Sequence, residues 1–148
     1  MSFRYHLQKI VDLKGSEKSM AEWEYAASLG KLRKEEEQLA LLFEERRGVE
    51  QALQETSARP TPLTELQTLH RYIEILDERI TQQREDVRSA ETLVRKRQSH
   101  LTDKMVDEKV WVNARERALE RFRSAWLAKE QNELDEIAIV RAASAARG

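Results

Sequence analysis

The sequence predicts an all-α fold, a long antiparallel two-helix coiled-coil hairpin, and three observations carry that prediction. Apolar residues recur every seven positions at Leu66, Ile73, Ile80, Val87, Val94 and Leu101. That spacing belongs to a long helix whose narrow seam is held against a partner helix. The 148 residues include only 4 Gly and 2 Pro, with 36% charged and 6% aromatic residues, a composition suited to long helices. Both prolines fall in one short stretch, Thr56-Ser57-Ala58-Arg59-Pro60-Thr61-Pro62.

Helix 1 is expected over residues 3–56. Leu32, Leu39, Arg46 and Leu53 stand seven apart on it, and Leu42, Phe43 and Val49 thicken its seam toward the turn. Gly15, Gly30 and Gly48 lie inside it. Each costs about 1 kcal/mol relative to Ala, so they are either tolerated or let the helices approach closely, with Lys14-Gly15-Ser16 the point most prone to kinking.

The turn is expected at 57–61. Pro60 and Pro62 lack a backbone donor and disfavour helix at Arg59 and Thr61. Thr61 is the expected N-cap of the next helix, Pro62 its first helical residue, and Glu65 suits its positive end.

Helix 2 is expected over 62–143. A short connection between long helices folds them back antiparallel. With Leu53 facing Leu66, Arg46 faces Ile73, Leu39 faces Ile80 and Leu32 faces Val87. Arg46 is the polar exception, of the kind that fixes register. After Leu101 the apolar series is expected to shift to Met105, Val112, Leu119 and Trp126, returning at Val140 after Glu133. The same register sets Leu13 opposite Val106, Leu7 opposite Val112 and Phe3 opposite Glu116, where helix 1 ends. Residues 117–140 are then an overhang of about 36 Å at the helical rise. It carries Leu119, Phe122, Trp126, Leu127, Leu134, Ile137 and Val140, a stripe that calls for another protein to cover it.

The residues point away from other function classes. Formal net charge is −1, so no global field draws the chain to nucleic acid or anionic lipid. Arg95, Lys96 and Arg97, and Arg115, Arg117, Arg121 and Arg123, form basic clusters without a nucleic-acid motif. They read as charged helix faces, the second suited to docking on an acidic protein surface. The opening does not read as a signal peptide, and no apolar run is long enough for a bilayer. With 0 Cys, disulfides and Cys-based zinc sites are excluded and a cytoplasmic location is favoured. His6, His70 and His100 share no helical turn, phosphate-binding glycine motifs are missing, and the carboxylates read as solvated partners of Lys and Arg. No catalytic residue, cofactor or metal is expected.

The opening Phe3-Arg4-Tyr5-His6-Leu7-Gln8-Lys9-Ile10-Val11-Asp12-Leu13-Lys14 resembles that of the flagellar export protein FliJ family. Glu133-Leu134-Asp135-Glu136-Ile137-Ala138 matches near the other end, and Glu36-Glu37-Gln38-Leu39 in the middle. The resemblance implies a non-catalytic hairpin similar to the central stalk of rotary ATPases. It implies a cytoplasmic component at the membrane-facing base of the flagellum, with three kinds of partner. These are the hexameric export ATPase FliI, whose assembly it promotes, the export gate protein FlhA, and export chaperones. Membrane insertion and nucleic-acid binding are not implied. The resemblance places ATPase binding at the end bearing both termini: Phe3, Tyr5, Leu7 and Gln8, with Leu119, Phe122, Trp126, Leu134 and Ile137. It places gate binding at Gln38, Leu42, Tyr72 and Leu76, with Glu45, Val49, Arg79 and Gln83 departing from the family pattern. The alternatives are a homodimeric scaffold joined through the overhang and the equivalent stalk of a virulence type III system.

Overall fold

The computed structural model describes residues 2–147. Two helices dominate it, α1 over Gln8–Ser57 and α2 over Leu63–Arg147. They pack antiparallel, so that cross-helix partners such as Glu24 and Arg97, Glu35 and Gln83, and Arg46 and Asp77 run in opposite order along the two helices. The chain forms two compact units, one of Met20–Thr102 and one of the residues up to Ser19 with those from Asp103 onward.

The Met20–Thr102 unit contains the turn. At the end of α1 the last carbonyls lose their helical donors, and two nearby residues are prolines without an N–H. The Ala58 N–H donates to the Gln54 carbonyl at 3.2 Å and the Arg59 N–H to that of Thr56 at 3.4 Å. The Thr61 hydroxyl donates to the Thr56 carbonyl at 2.7 Å, with the Arg59 carbonyl at 3.0 Å also in reach. Thr61 therefore closes the end of α1 rather than capping α2 as expected. Its hydroxyl serves the carbonyls that the prolines cannot. The Glu65 N–H bonds the Pro62 carbonyl at 3.1 Å to start α2.

The seam of this unit is narrow. Leu76 (0% exposed), Ile80, Ala90, Ala21, Ser28 and Thr56 are buried. Leu32, Leu39, Leu42, Val49 and Leu53, and across from them Leu66, Leu69, Ile73, Val87 and Val94, are half-buried. Two helices alone cannot enclose a heptad stripe, so partial burial is the rule. Ala21, Ser28 and Ala90 are buried because small side chains leave the facing backbone close. Arg46 answers for its polar seam position with an ion pair to Asp77 at 2.5 Å and a second to Glu50. The Gln83 amide donates to the Glu35 carboxylate at 2.5 Å and to the Glu35 carbonyl at 2.9 Å.

The terminal unit has a different seam. The expected register change after Leu101 is made in part: Met105 is 52% exposed, whereas Val112, Leu119 and Trp126 are half-buried. The original sevenfold series continues through Glu108, Arg115 and Phe122, all half-buried, with Val112, Leu119 and Trp126 half-buried beside them. Charged residues thus face the partner helix. Lys14 pairs with Asp107 and Lys18 with Glu108, each at 2.9 Å, and Lys104 with Glu17 at 3.2 Å. Their aliphatic stems cover the seam while the heads meet at its edge. Leu13 and Val106, expected to face each other inside, are 54% and 60% exposed. Gly15 continues the helix without a break. A Cβ there would meet the Glu108 carboxylate at 3.1 Å, so glycine leaves the room in which Glu108 reaches Lys18.

A candidate docking surface

The docking residues expected at the termini lie in one unit, and the backbone of the N-terminal segment decides how they meet. Residues 2–5 are not helical, and Tyr5 to Leu7 make the turn into α1. The Gln8 N–H donates to the Tyr5 carbonyl at 3.0 Å, and the Leu7 carbonyl accepts from Ile10 at 3.0 Å and Val11 at 3.2 Å. Phe3 and Tyr5 are poorer helix formers than the Ala, Leu, Lys and Glu further on. Extended chain rises about 3.3 Å per residue against about 1.5 Å in a helix, so this segment reaches further along α2 than a helix would.

Phe3 consequently meets Phe122, with ring centroids 5.4 Å apart and planes tilted by 50°, instead of lying opposite Glu116. Tyr5 stacks beside Phe3 at 6.3 Å and touches His6 edge-on at 5.5 Å. The Arg115 guanidinium lies 5.9 Å over the Phe3 ring and donates from Nε to Gln8 Oε1 at 2.7 Å. The Gln8 amide in turn donates to Asp12 at 2.9 Å. Gln8 therefore fixes Arg115, and Arg115 fixes Phe3. Phe3, Arg4, Tyr5, His6, Gln8, Lys9 and Arg115 line a shallow groove.

This longer reach moves the overhang. Leu119, Phe122 and Trp126 are half-buried, and uncovered helix begins after Trp126 rather than at 117. From Leu127 through Arg147 every residue is exposed, over about 30 Å of helix. Leu127 (63% exposed), Leu134 (61%) and Ile137 (48%) stand here with Ile139 and Val140. Trp126 guards the entry, its indole N–H donating to Glu130 at 3.0 Å and Lys129 lying 6.0 Å over its ring. A second shallow groove runs between Glu133, Glu136, Ile137, Val140 and Arg141.

The residues expected to bind the gate lie in the other unit and are divided by burial. Gln38 is exposed, and Leu42 and Tyr72 are half-buried. Leu76 is the most buried large side chain of the described residues, so it supports the surface from beneath and cannot touch a partner while the hairpin is closed. The Tyr72 hydroxyl donates to the Glu45 carboxylate, which holds the phenol above its usual pKa, with burial and the Glu45 charge adding. Beside this set, Leu41 (61% exposed) and Ile75 (38%) are also apolar and exposed. Each stands one position before a seam residue, and an apolar side chain just outside the heptad seam is the signal that marks them.

Among the described residues no cluster of metal-ligating side chains is found, and no helix is long and apolar enough to cross a membrane. The arrangement defines a class: an all-α helical hairpin. The flagellar FliJ protein model matches residues 3–147, and the chain belongs to the FliJ family, with a role in the type III export apparatus. A solved structure described as a YscO homolog, CT670, from Chlamydia trachomatis is similar in fold. Its TM-score is 0.69 over 94% of each chain, at 20% identity. No curated protein matches.

Proposed function

We propose that this chain is a non-catalytic stalk of the flagellar type III export apparatus, docking its terminal unit into the hexameric export ATPase FliI. The observation that carries the reading is the apolar stripe Leu127, Leu134 and Ile137, exposed on a stretch of α2 that none of the described residues covers. Covering each side chain supplies roughly 1.5–3 kcal/mol, enough that a few of them anchor a specific contact. Phe3, Tyr5, Leu7 and Gln8 shape the neighbouring surface, Leu119, Phe122 and Trp126 hold it against α2, and the arginines from Arg115 to Arg123 match an acidic rim. Tighter binding to the assembled ring than to its free subunits shifts the ATPase toward assembly.

In the same reading, Gln38, Leu42 and Tyr72 with Leu41 and Ile75 contact the export gate FlhA, while Leu76 keeps that surface in shape. Export chaperones are further partners, and the site of action is the cytoplasmic face of the membrane at the flagellar base. Calorimetric titration of the cognate ATPase tests the docking step. Leu134→Asp with Ile137→Asp is expected to weaken binding at least about tenfold, since each reversal of apolar burial costs more than about 1.4 kcal/mol. Unchanged affinity would remove the stripe from the interface.

A further inference from the structure

We infer that the uncovered end of α2 also docks antiparallel on the same stretch of a second copy of this chain, in a weak dimer that hides the stripe. This inference stands on the stripe's own pattern and not on the ATPase reading. Leu127, Glu130, Leu134, Ile137, Arg141 and Ser144 recur at alternating steps of three and four along α2, the spacing of a coiled-coil seam. All are exposed. The stripe is apolar in its centre, acidic four residues before Leu134 and basic four residues after Ile137.

That charge order is self-complementary in one orientation only. With a two-fold axis between Asp135 and Glu136, Leu134 of each copy meets Ile137 of the other, and Glu130 meets Arg141. The two-fold repeats each contact, so both ends are satisfied at once. A parallel pair sets Glu130 on Glu130 and Arg141 on Arg141, and like charges repel. Asp135 and Glu136 fall on the outer face of this pairing and do not oppose it. Among the described residues Glu130 accepts only the Trp126 indole N–H, and neither Glu130 nor Arg141 has an ion pair there. The charges that would close the seam are therefore unspent.

Each copy contributes about 25 Å of helix, which places the contact near the lower end of specific interfaces, about 1,200 Å² in total. An interface of that size exchanges readily, so a ring partner that covers the same stripe more fully displaces the second copy. Self-docking and ring docking then exclude each other, and free chains are held with their apolar stripe covered.

Sedimentation equilibrium of the full chain over a range of concentrations tests the dimer. A monomer–dimer equilibrium is expected. Glu130→Arg alone and Arg141→Glu alone are each expected to weaken it about tenfold through like-charge contacts, and the two together to restore it. The chain has 0 Cys, so register is read separately. Leu134→Cys and Ile137→Cys chains, mixed and oxidised, should cross-link mainly to each other. A monomer at every concentration, a dimer indifferent to both charge reversals, or cross-linking no better in the mixture than in either chain alone would overturn the inference. No dimer of the unmodified chain at any concentration, with ATPase binding intact, rejects this inference alone. A charge-rescued dimer without ATPase binding rejects the ring reading alone.

Discussion

Leu76 and Leu41 are the same residue type at opposite extremes, 0% and 61% exposed, and substitution at each should act through a different route. Leu76→Ala removes buried methyl groups from a thin seam that has little else to fill the gap. It should lower unfolding free energy by about 2–4 kcal/mol, read from the urea midpoint. Leu41→Ala should move that midpoint by less than about 0.5 kcal/mol and act on partner binding instead. Titration adds a second prediction. Lys14 is held above its ordinary 10.5, first by the hydrogen bond to Asp107, with the charges of Asp107 and Glu17 adding and burial opposing. Tyr72 is held above its ordinary 10.0, first by its hydrogen bond to Glu45. A folded-state pKa raised above the unfolded one gives stability that is complete below the unfolded value and lost as pH rises through the folded value. The urea midpoint should therefore be unaffected by these groups near neutrality and fall on the alkaline side of about pH 10, and Tyr72→Phe should flatten part of that fall. An alkaline limb identical in Tyr72→Phe would show that the Glu45 contact does not matter to folding.

The helices and their ends respond in different ways because different interactions hold them. Thr61→Val removes the hydroxyl that closes α1 and should cost about 1 kcal/mol, with the helical content of both arms kept. In the terminal unit the seam rests on the ion pairs of Lys14, Lys18 and Lys104, which are partly exposed and screened by salt. Amides of Lys14–Ser19 should exchange with solvent sooner than those of Ile73–Ile80, and added salt should hasten the former more. Equal protection in both stretches, independent of salt, would contradict this. The heptad series made the two helices and the turn legible in the sequence, because a narrow apolar stripe of fixed spacing has one structural solution. The seam beyond Leu101 was legible in part. Val112, Leu119 and Trp126 are half-buried as the shifted series requires, but Met105 and Val106 are exposed, and the register of Leu66 to Leu101 persists beside them and draws charged side chains inward. The sequence position of Thr61 suits a cap for either helix, and only the missing proline donors decide which end it serves. The N-terminal segment was read as helix, and its extended backbone is what carries Phe3 to Phe122 and shortens the overhang. Heptad position separates buried Leu76, three residues after the seam residue Ile73, from exposed Ile75 beside it.

For the whole molecule, the family, the fold and the uncovered end of α2 point the same way. The apolar stretch of α2 beyond Trp126 is the part that none of the described residues covers. Removing that part tests the function without disturbing the fold, since residues 127–147 are exposed throughout. A chain ending at Trp126 should keep its unfolding midpoint and lose only the helical signal of the missing turns. The decisive measurement is ATP hydrolysis by the cognate export ATPase with the full chain, with the chain ending at Trp126, and with neither. Stimulation by the full chain that disappears with the truncated one is the predicted result. Equal stimulation by both, or none by either, would contradict docking through the end of α2.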